Sequence, residues 1–281
     1  MLWNMKEATL TLVDSTMDYV TFGRGTRPLV IIPGLSLRDV KGAGAGLAWM
    51  YRRFAKEYRV YVPDKKSDIP AGYTVRDIAN DTAEAMRRWG ITDACVVGIS
   101  LGGRGAQYLA LDHPELVSRL VLGVTAPCPN DTMRGVIEQW IEQAERDDFA
   151  SIVKDMSVLM YSEAYVKRYK WLFPLLAKIG VPKNKKRFVN LTRACLTCDT
   201  REMLNRIRCE TLVLGGEEDK IVTGTASWQM AERIGCEIRM YDGLGHAAYE
   251  EAADFNQRIY DFFSRPTEED GSNSHKETEV S

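Results

Sequence analysis

The feature that most constrains the fold of this chain is a short apolar run that leads into a serine between two glycines. Residues 94–97 are apolar, and the pattern Gly98-x-Ser100-x-Gly102 follows them. A serine at such a strand–turn–helix junction has a strained backbone, which lifts its hydroxyl clear of the sheet. The flanking glycines avoid a collision with that backbone, and a helix beginning at Leu101 directs its first N–H groups toward the serine. The segment therefore predicts a nucleophilic serine.

The rest of the chain alternates between apolar runs and amphipathic segments. Apolar runs ended by glycine or proline are typical of strands buried on both faces of a parallel sheet. Strands are expected at 8–13, 17–22, 29–32, 59–62, 94–97, 120–124, 211–215 and 237–241. Helices are expected at 47–57, 74–89, 101–112, 225–234 and 247–263. The first two strands form a hairpin, and the whole pattern predicts an α/β fold with about eight strands in a mostly parallel sheet flanked by helices.

One long segment interrupts this alternation, because residues 132–205 are predicted to be almost wholly helical. We therefore expect a core formed by residues 1–126 and 207–264, with a helical cap at 127–206 inserted after the sixth strand. The polar residues 265–281 are expected to be a disordered tail. An insertion at this point lies over the carboxyl ends of the strands, where ligands bind in such sheets.

A nucleophilic serine needs a base within hydrogen-bond distance, and the chain has three histidines. His113 follows the end of the helix that begins after Ser100, far from the serine, and is expected to be a surface or helix-end residue. His275 lies in the polar tail. His246 follows the last strand, in a glycine-containing loop at the carboxyl end of the sheet. His246 is therefore the predicted base.

The base in turn needs a carboxylate that fixes its tautomer and stabilises its charged form. Three acids, Glu217, Glu218 and Asp219, follow the strand expected at 211–215. Asp219 lies directly before a lysine and an apolar Ile-Val pair that can anchor the loop, so Asp219 is the preferred partner of the histidine. The two glutamates are expected to face solvent.

Together these residues resemble the α/β-hydrolase superfamily, in its branch of small serine esterases, lactonases and cofactor-free peroxidases. The resemblance covers residues 8–264 and rests on the serine pattern, on Gly215 to Asp219, on Leu244-Gly245-His246 and on the order Ser, Asp, His. It implies an oxyanion hole formed by the backbone N–H groups of Leu101 and Leu35. It also implies that no metal and no organic cofactor takes part.

The loop after the third strand departs from the pattern of many relatives. They carry His-Gly there, whereas this chain has Pro33-Gly34. Gly34 keeps the turn, as Gly98 and Gly102 do around the nucleophile, but the contacts of the missing histidine are absent. Ser100 excludes the nucleophilic aspartate of the dehalogenases and epoxide hydrolases of this fold.

The resemblance implies acyl transfer to Ser100 and hydrolysis of the acyl-enzyme, on a carboxylic ester, lactone or thioester with a small or medium acyl group. Three alternatives stay open: a cofactor-free peroxidase, a carbon–carbon bond hydrolase with the same triad, and a ligand-binding receptor on a hydrolase scaffold. Specificity depends on cap side chains that the sequence does not place.

Composition and charge set further limits. The chain is 45% hydrophobic and 27% charged with a net charge of −2, so nothing in its overall charge attracts nucleic acid. The first residues lack the features of a signal peptide, and no apolar run approaches membrane-spanning length. Six cysteines in such a chain predict reduced thiols and a cytoplasmic location. Cys195 and Cys198 form a C-x-x-C inside a helical segment, where we expect buried thiols and not a zinc or redox site.

The charge is uneven within the predicted cap. Nine basic residues and no acidic residue lie between Ala164 and Cys198, which leaves −11 for the rest of the chain. A solvated basic face is the first interpretation. Attraction of an anionic small-molecule ester, an acidic carrier protein or a membrane surface is the second.

Overall fold

The computed structural model describes residues 3–266, which contain one eight-stranded sheet. The strands are β1 (Lys6–Thr11), β2 (Thr16–Phe22), β3 (Arg27–Ile32), β4 (Tyr58–Pro63), β5 (Ala94–Ile99), β6 (Val117–Gly123), β7 (Glu210–Gly216) and β8 (Glu237–Tyr241). Their order is β1-β2-β4-β3-β5-β6-β7-β8. β2 pairs antiparallel with β1 and β4, and the other neighbours are parallel. The predicted mostly parallel sheet is therefore confirmed.

Helices cover both faces of the sheet. They are α1 (Gly44–Met50), α2 (Val75–Arg88), α3 (Leu101–Asp112), α4 (Asp131–Glu145), α5 (Phe149–Met160), α6 (Glu163–Tyr169), α7 (Phe173–Ile179), α8 (Lys185–Ala194), α9 (Gly224–Ile234), α10 (Ala248–Glu251) and α11 (Phe255–Phe263). Helices α4 to α8 lie between β6 and β7, and we refer to this segment as the insertion. The predicted tail begins at residue 265, and residues 267–281 lie outside the described part of the chain.

Two helices differ in extent from those predicted. The helix expected at 47–57 ends at Met50, and a short 3-10 turn follows. Phe54 and Ala55 are buried from that turn, so their spacing imitates a continued helix. The helix expected at 247–263 is divided into α10 and α11, because the backbone at Ala252 is extended.

The sheet separates two apolar layers, which explains the continuous apolar runs of its central strands. In β3, Val30 and Ile32 pack on the side of α2 and α3, whereas Leu29 and Ile31 pack on the side of α11. Every residue of β5 is buried. Burial on both faces removes the alternation of polar and apolar residues that a half-exposed strand would show.

Helix α3 approaches the sheet closely enough to require glycine. A Cβ built on Gly102 would lie 2.0 Å from the carbonyl oxygen of Ile32, and one built on Gly98 would lie 2.6 Å from the Cα of Gly103. The atoms in the way are mostly backbone, which cannot rotate aside. Glycine at these two positions is therefore a packing requirement of the junction between β5 and α3.

A buried lysine holds the loop after β3. Lys65 follows β4 and is 5% exposed, and its Nζ donates to the carbonyl oxygens of Pro33 and Gly34, the second at 3.0 Å. Strands β3 and β4 are parallel neighbours, so the loops that follow them meet at the same end of the sheet. Burial lowers the pKa of Lys65 to about 8, against the opposing effect of Asp64.

Replacing Gly102 by alanine should destabilise the protein, whereas the same change at Gly135 should stabilise it. Gly102→Ala forces the start of α3 away from Ile32. Gly135 lies exposed within α4, where an added Cβ meets no atom within 4 Å; helix propensity there predicts a gain of about 1 kcal/mol. Thermal unfolding of the two variants checks this, and equal melting temperatures would contradict the packing requirement.

The effects of Lys65→Met and Lys66→Met on the free energy of unfolding should depend differently on pH. The pKa of Lys65 is about 8 in the folded chain against an ordinary 10.5, so between these values the unfolded chain binds more protons. The cost of burying this charge is full below pH 8 and falls as the pH rises toward 10.5. Burial also disfavours the charged form of Lys66, but its interactions with Asp14 and Asp81 outweigh burial and raise its pKa. The contribution of Lys66 to the free energy of unfolding therefore stays constant below pH 10.5.

Urea unfolding of the wild type and both variants at pH 7.5 and 9.5 measures the difference. The wild type should gain about 2 kcal/mol relative to Lys65→Met over this interval, because one pKa unit corresponds to 1.36 kcal/mol. The gap between the wild type and Lys66→Met should stay constant. Cysteines and tyrosines are the same in all three proteins, so their contributions cancel in the differences between the wild type and each variant. A pH-independent effect of Lys65→Met would show that this lysine is not buried as a cation.

Candidate active site

Three side chains predicted from the sequence meet at the carboxyl end of the sheet. Ser100 follows β5, Asp219 follows β7, and His246 follows β8. His246 Nε2 lies 2.8 Å from Ser100 Oγ, and His246 Nδ1 lies 2.8 Å from Asp219 Oδ2. An ionised carboxylate can only accept, so the imidazole proton is on Nδ1, which leaves Nε2 to accept the serine hydroxyl proton.

The backbone of Ser100 is strained, with φ of +53° and ψ of −118°. Three hydrogen bonds hold it in this conformation. Its N–H donates to the carbonyl oxygen of Gly123 at 2.9 Å, and its own carbonyl accepts from the hydroxyl of Thr125 at 2.7 Å and from the N–H of Gly103 at 2.9 Å. The serine therefore remains partly exposed above a fully buried strand.

Asp219 is buried and fully supplied with donors. Its Oδ1 accepts from the backbone N–H groups of Ile221 and Val222 at 2.8 and 2.9 Å, while Oδ2 faces His246. Burial alone would raise the pKa of Asp219, but the interaction with His246 and the two N–H donors outweigh it and lower the pKa. Its neighbours Glu217 and Glu218 are exposed. Asp219 is thus the acid of this loop that contacts the histidine.

The histidine loop is held by contacts with β7 and with the insertion. A Cβ on Gly216 would lie 2.3 Å from the carbonyl oxygen of Gly245, so the loop packs directly on the end of β7. The N–H of Ala247 donates to the carbonyl oxygen of Met160 in the insertion at 2.7 Å. His246 is 3% exposed. These contacts fix the backbone on both sides of the imidazole.

The two predicted oxyanion donors, Leu35 and Leu101, line the same cavity as Ser100. Leu101 is the first residue of α3, whose initial N–H groups have no partner within the helix. Leu35 shares its peptide plane with the carbonyl of Gly34. Since the C=O and N–H of a trans peptide point in opposite directions, Lys65 orients the Leu35 N–H by binding the Gly34 carbonyl.

The cavity next to Ser100 is mostly apolar and extends under the insertion. Besides the residues already named, its lining includes Arg104, Met133, Ile137, Trp140, Met156, Met160, Cys195, Ile221, Val222 and Tyr249. Sequence reasoning missed Lys65 and Arg104. The available signals were a lysine directly after a buried strand, and an arginine among the small residues at the start of α3.

Residues that the sequence set aside lie away from these contacts. His113 follows the far end of α3, where its ring nitrogens lie 3.2 Å from Arg87 and 3.0 Å from Asn80. His275 is outside the described residues. Cys195 and Cys198 are buried free thiols, and burial raises their pKa values to about 11 and about 12. Neither thiol has the lowered pKa of a reactive cysteine.

Four of the nine basic residues between Ala164 and Cys198 form ion pairs with acids outside that range. The pairs are Lys183 with Asp39, Lys185 with Asp147, Arg187 with Asp39 and Asp64, and Arg193 with Glu145. The count of nine basic residues between Ala164 and Cys198 therefore overstates the positive electrostatic potential of this segment. The pairing agrees better with a solvated basic face than with a recruitment surface.

Between residues 3 and 266 no three His, Cys, Asp or Glu side chains are grouped as metal ligands would be. No helix in that range is long and apolar enough to cross a membrane.

Comparisons with known proteins agree on one family. The family model described as "alpha/beta hydrolase fold" matches residues 27–253. The 3-oxoadipate enol-lactonase 2 of Acinetobacter baylyi is 23% identical over 80% of this chain and 84% of its own length. The 2-hydroxy-6-oxo-6-phenylhexa-2,4-dienoate hydrolase of Comamonas testosteroni is 26% identical over 89% and 92%.

A solved structure shares the fold over nearly its whole length. The crystal structure of an alpha/beta hydrolase enzyme from a Medee basin deep-sea metagenome library has a TM-score of 0.81 and 21% identity, over 92% of this chain and 98% of that one. The family match over residues 27–253 covers most of the chain, and the shared fold agrees with it. The chain belongs to the alpha/beta hydrolase fold family.

Proposed function

We propose that this protein is a serine hydrolase that cleaves a carboxylic ester, a lactone or a thioester with a small or medium acyl group. Ser100 is the nucleophile, His246 the general base and acid, and Asp219 the residue that orients the histidine. The observation that carries the proposal is the continuous hydrogen-bonded series from Asp219 through His246 to Ser100, with both distances at 2.8 Å. Membership of a hydrolase family agrees with it.

Acylation begins when Ser100 Oγ attacks the substrate carbonyl carbon and its proton passes to His246 Nε2. The carbonyl π electrons move to oxygen, and the N–H groups of Leu35 and Leu101 bind the oxyanion. Each such donor stabilises the transition state by about 3 kcal/mol. Collapse of the tetrahedral intermediate expels the leaving group, which takes the proton from the histidine.

Deacylation repeats these steps with water. His246 removes a proton from the water, the hydroxide adds to the acyl carbon, and the same N–H groups bind the oxyanion. The bond to Ser100 Oγ then breaks, and the proton returns to the serine as the acid leaves. Throughout, Asp219 stays ionised and stabilises the imidazolium, which agrees with the lowered pKa of its carboxyl.

Hydrolysis of a carbon–carbon bond next to a ketone is the second candidate. It is favoured by the Comamonas testosteroni relative, whose name is that of a hydrolase of a 2-hydroxy-6-oxo-dienoate. The enol-lactonase relative instead favours oxygen leaving groups. The geometry of Ser100 and His246 serves both reactions, so product analysis on an ester and on a vinylogous 1,5-diketone decides between them.

We further propose that residues 127–206 act as a cap domain on the core formed by 1–126 and 207–264. The insertion contributes Met133, Trp140 and Met160 to the cavity, which supports this division. A cytoplasmic location is also part of the proposal. It rests on the six cysteines, which all lie within residues 3–266 and are free thiols there.

A fluorophosphonate probe should label this protein at one site, on the tryptic peptide that contains Ser100. The phosphorus atom takes the place of the acyl carbon, and only a serine with a base in contact attacks it. Intact-mass and peptide spectrometry measure the labelling. Ser100→Ala should abolish it, while Ser227→Ala, a buried serine on α9, should leave it unchanged. Labelling that survives Ser100→Ala would refute the assignment.

Asp219→Asn should lower kcat on an activated ester by about four orders of magnitude, because an amide partner favours the wrong histidine tautomer. Glu217→Gln and Glu218→Gln remove the same charge two residues and one residue away and should change kcat less than about twofold. Initial rates on p-nitrophenyl esters from acetate to laurate provide the measurement. A large loss for either glutamate variant would move the acid to that residue.

A further inference from the structure

One buried cation in the cavity has no anionic partner. Arg104 lies on α3, one helical turn after Ser100, is 2% exposed and lines the cavity. Its guanidinium donates to the carbonyl oxygen of Cys195 at 2.5 Å and contacts the sulfur of Met133. Its Nε is buried without any hydrogen-bond partner. Within residues 3–266 no carboxylate forms an ion pair with this arginine.

Other buried cations are satisfied within the protein, Lys65 by two carbonyl oxygens and the next two by carboxylates. Arg119 is 3% exposed, and its guanidinium contacts Glu210 at 2.7 Å and several carbonyl oxygens near the end of α11. Lys66 is 6% exposed and forms ion pairs with Asp14 and Asp81. A guanidinium stays charged across the pH range in which proteins fold, and a buried unpaired charge is costly. An arginine whose strongest acceptors are one carbonyl and one thioether is therefore an exception.

A second donor without a partner lines the same cavity. Trp140, on α4 in the insertion, is 4% exposed, and its indole Nε1–H is buried without an acceptor. Among the described residues, the cavity lining contains methionine, leucine, isoleucine and valine side chains and no carboxylate. Two unsatisfied N–H donors, one of them cationic, thus border a space that also reaches Ser100.

We propose that Arg104 and Trp140 form a carboxylate-binding subsite, so that the substrate is an ester, lactone or thioester carrying a second, ionised carboxylate. The inference rests on the proposed function only for the identity of the cleaved bond. A carboxylate accepts several hydrogen bonds at once and prefers guanidinium donors. It would supply the charge and the acceptors that both side chains lack.

The subsite and the nucleophile belong to one cavity. Arg104 lies four residues after Ser100 on α3, and both side chains line the same space. A substrate that reaches both must carry its carboxylate on the acyl side or the alcohol side of the scissile bond. Monoesters of short dicarboxylic acids, such as the six-carbon adipate, are therefore suitable probes of the subsite.

The substrate preference tests the subsite. The two substrates are mono-p-nitrophenyl adipate and p-nitrophenyl 6-methylheptanoate, in which an isopropyl group replaces the carboxylate. The wild type should prefer the anionic ester in kcat/KM. Arg104→Met should lower the ratio of the two kcat/KM values at least about 100-fold, because it removes a buried charge partner. The matched control Arg134→Met removes an exposed charge from α4 and should leave the ratio unchanged.

Trp140→Phe provides a second variant with a milder change. It keeps an aromatic ring and removes only the N–H, so the ratio should fall about tenfold. Thermal unfolding separates a binding role from a structural one. If Arg104 serves a ligand, Arg104→Met should melt at or above the wild-type temperature without ligand, because an unpaired buried charge has been removed. A large loss of stability together with an unchanged ratio would assign Arg104 to the core and overturn the proposal.

Binding to an inactive variant distinguishes failure of the subsite from failure of the proposed function. Calorimetry with Ser100→Ala should show that mono-p-nitrophenyl adipate binds and that the added change Arg104→Met abolishes binding. Hydrolysis of both esters without an anionic preference would overturn the subsite and leave the hydrolase proposal standing. Arg104-dependent binding without hydrolysis of either ester by the wild type would support the subsite and overturn the hydrolase proposal.

Discussion

The site depends on a backbone conformation at Ser100 that a serine rarely adopts. Its positive φ costs about 1–3 kcal/mol and persists only where the surroundings determine it. Here the carbonyl of Gly123, the hydroxyl of Thr125 and the first turn of α3 provide the hydrogen bonds. Because Gly123 ends β6 and α3 packs on the end of β3, the nucleophile acquires its geometry only when three parallel strands and a helix are assembled.

Charge around this serine is handled in three different ways. Asp219 is ionised and has hydrogen bonds to both carboxylate oxygens. Lys65 satisfies its ammonium on two carbonyl oxygens, and in doing so orients the loop that carries Leu35. Arg104 has an unsatisfied Nε–H in a mostly apolar cavity. The first two arrangements are complete without a ligand, whereas the third is not, and this contrast is the reason for assigning Arg104, and not Asp219 or Lys65, to the proposed carboxylate subsite.

The sequence predicted what depends on local pattern. The apolar runs defined the strands, and the glycines around Ser100 reflect contacts at the junction of β5 and α3. Ser100, Asp219 and His246 could be predicted because each follows a strand of the sheet, and the carboxyl ends of those parallel strands meet at one edge. The helix at 47–57 was predicted too long, because burial of Phe54 from a 3-10 turn has the same periodicity as a helix.

What the sequence did not predict depends on contacts between distant residues. Arg104 and Cys195, whose carbonyl it binds, are 91 residues apart, and Arg187 and Asp64 are 123 residues apart. A count of charges along the insertion cannot include such partners, so the segment was assigned more free charge than it has. Similarly, nothing near Lys65 in sequence indicates that two carbonyl oxygens after β3 surround its ammonium.

The insertion is attached to the loops that carry the proposed acid and base. Asn130, just before α4, donates to the carbonyl oxygen of Val222, and Ser162, between α5 and α6, donates to Glu251 beyond the histidine loop. Exchange of the whole segment for that of a relative would remove both attachments together with the substrate-facing side chains. A chimera designed to alter specificity would therefore have its crossover points inside α4 and before Met160, which leaves the supports of Asp219 and His246 in their native sequence.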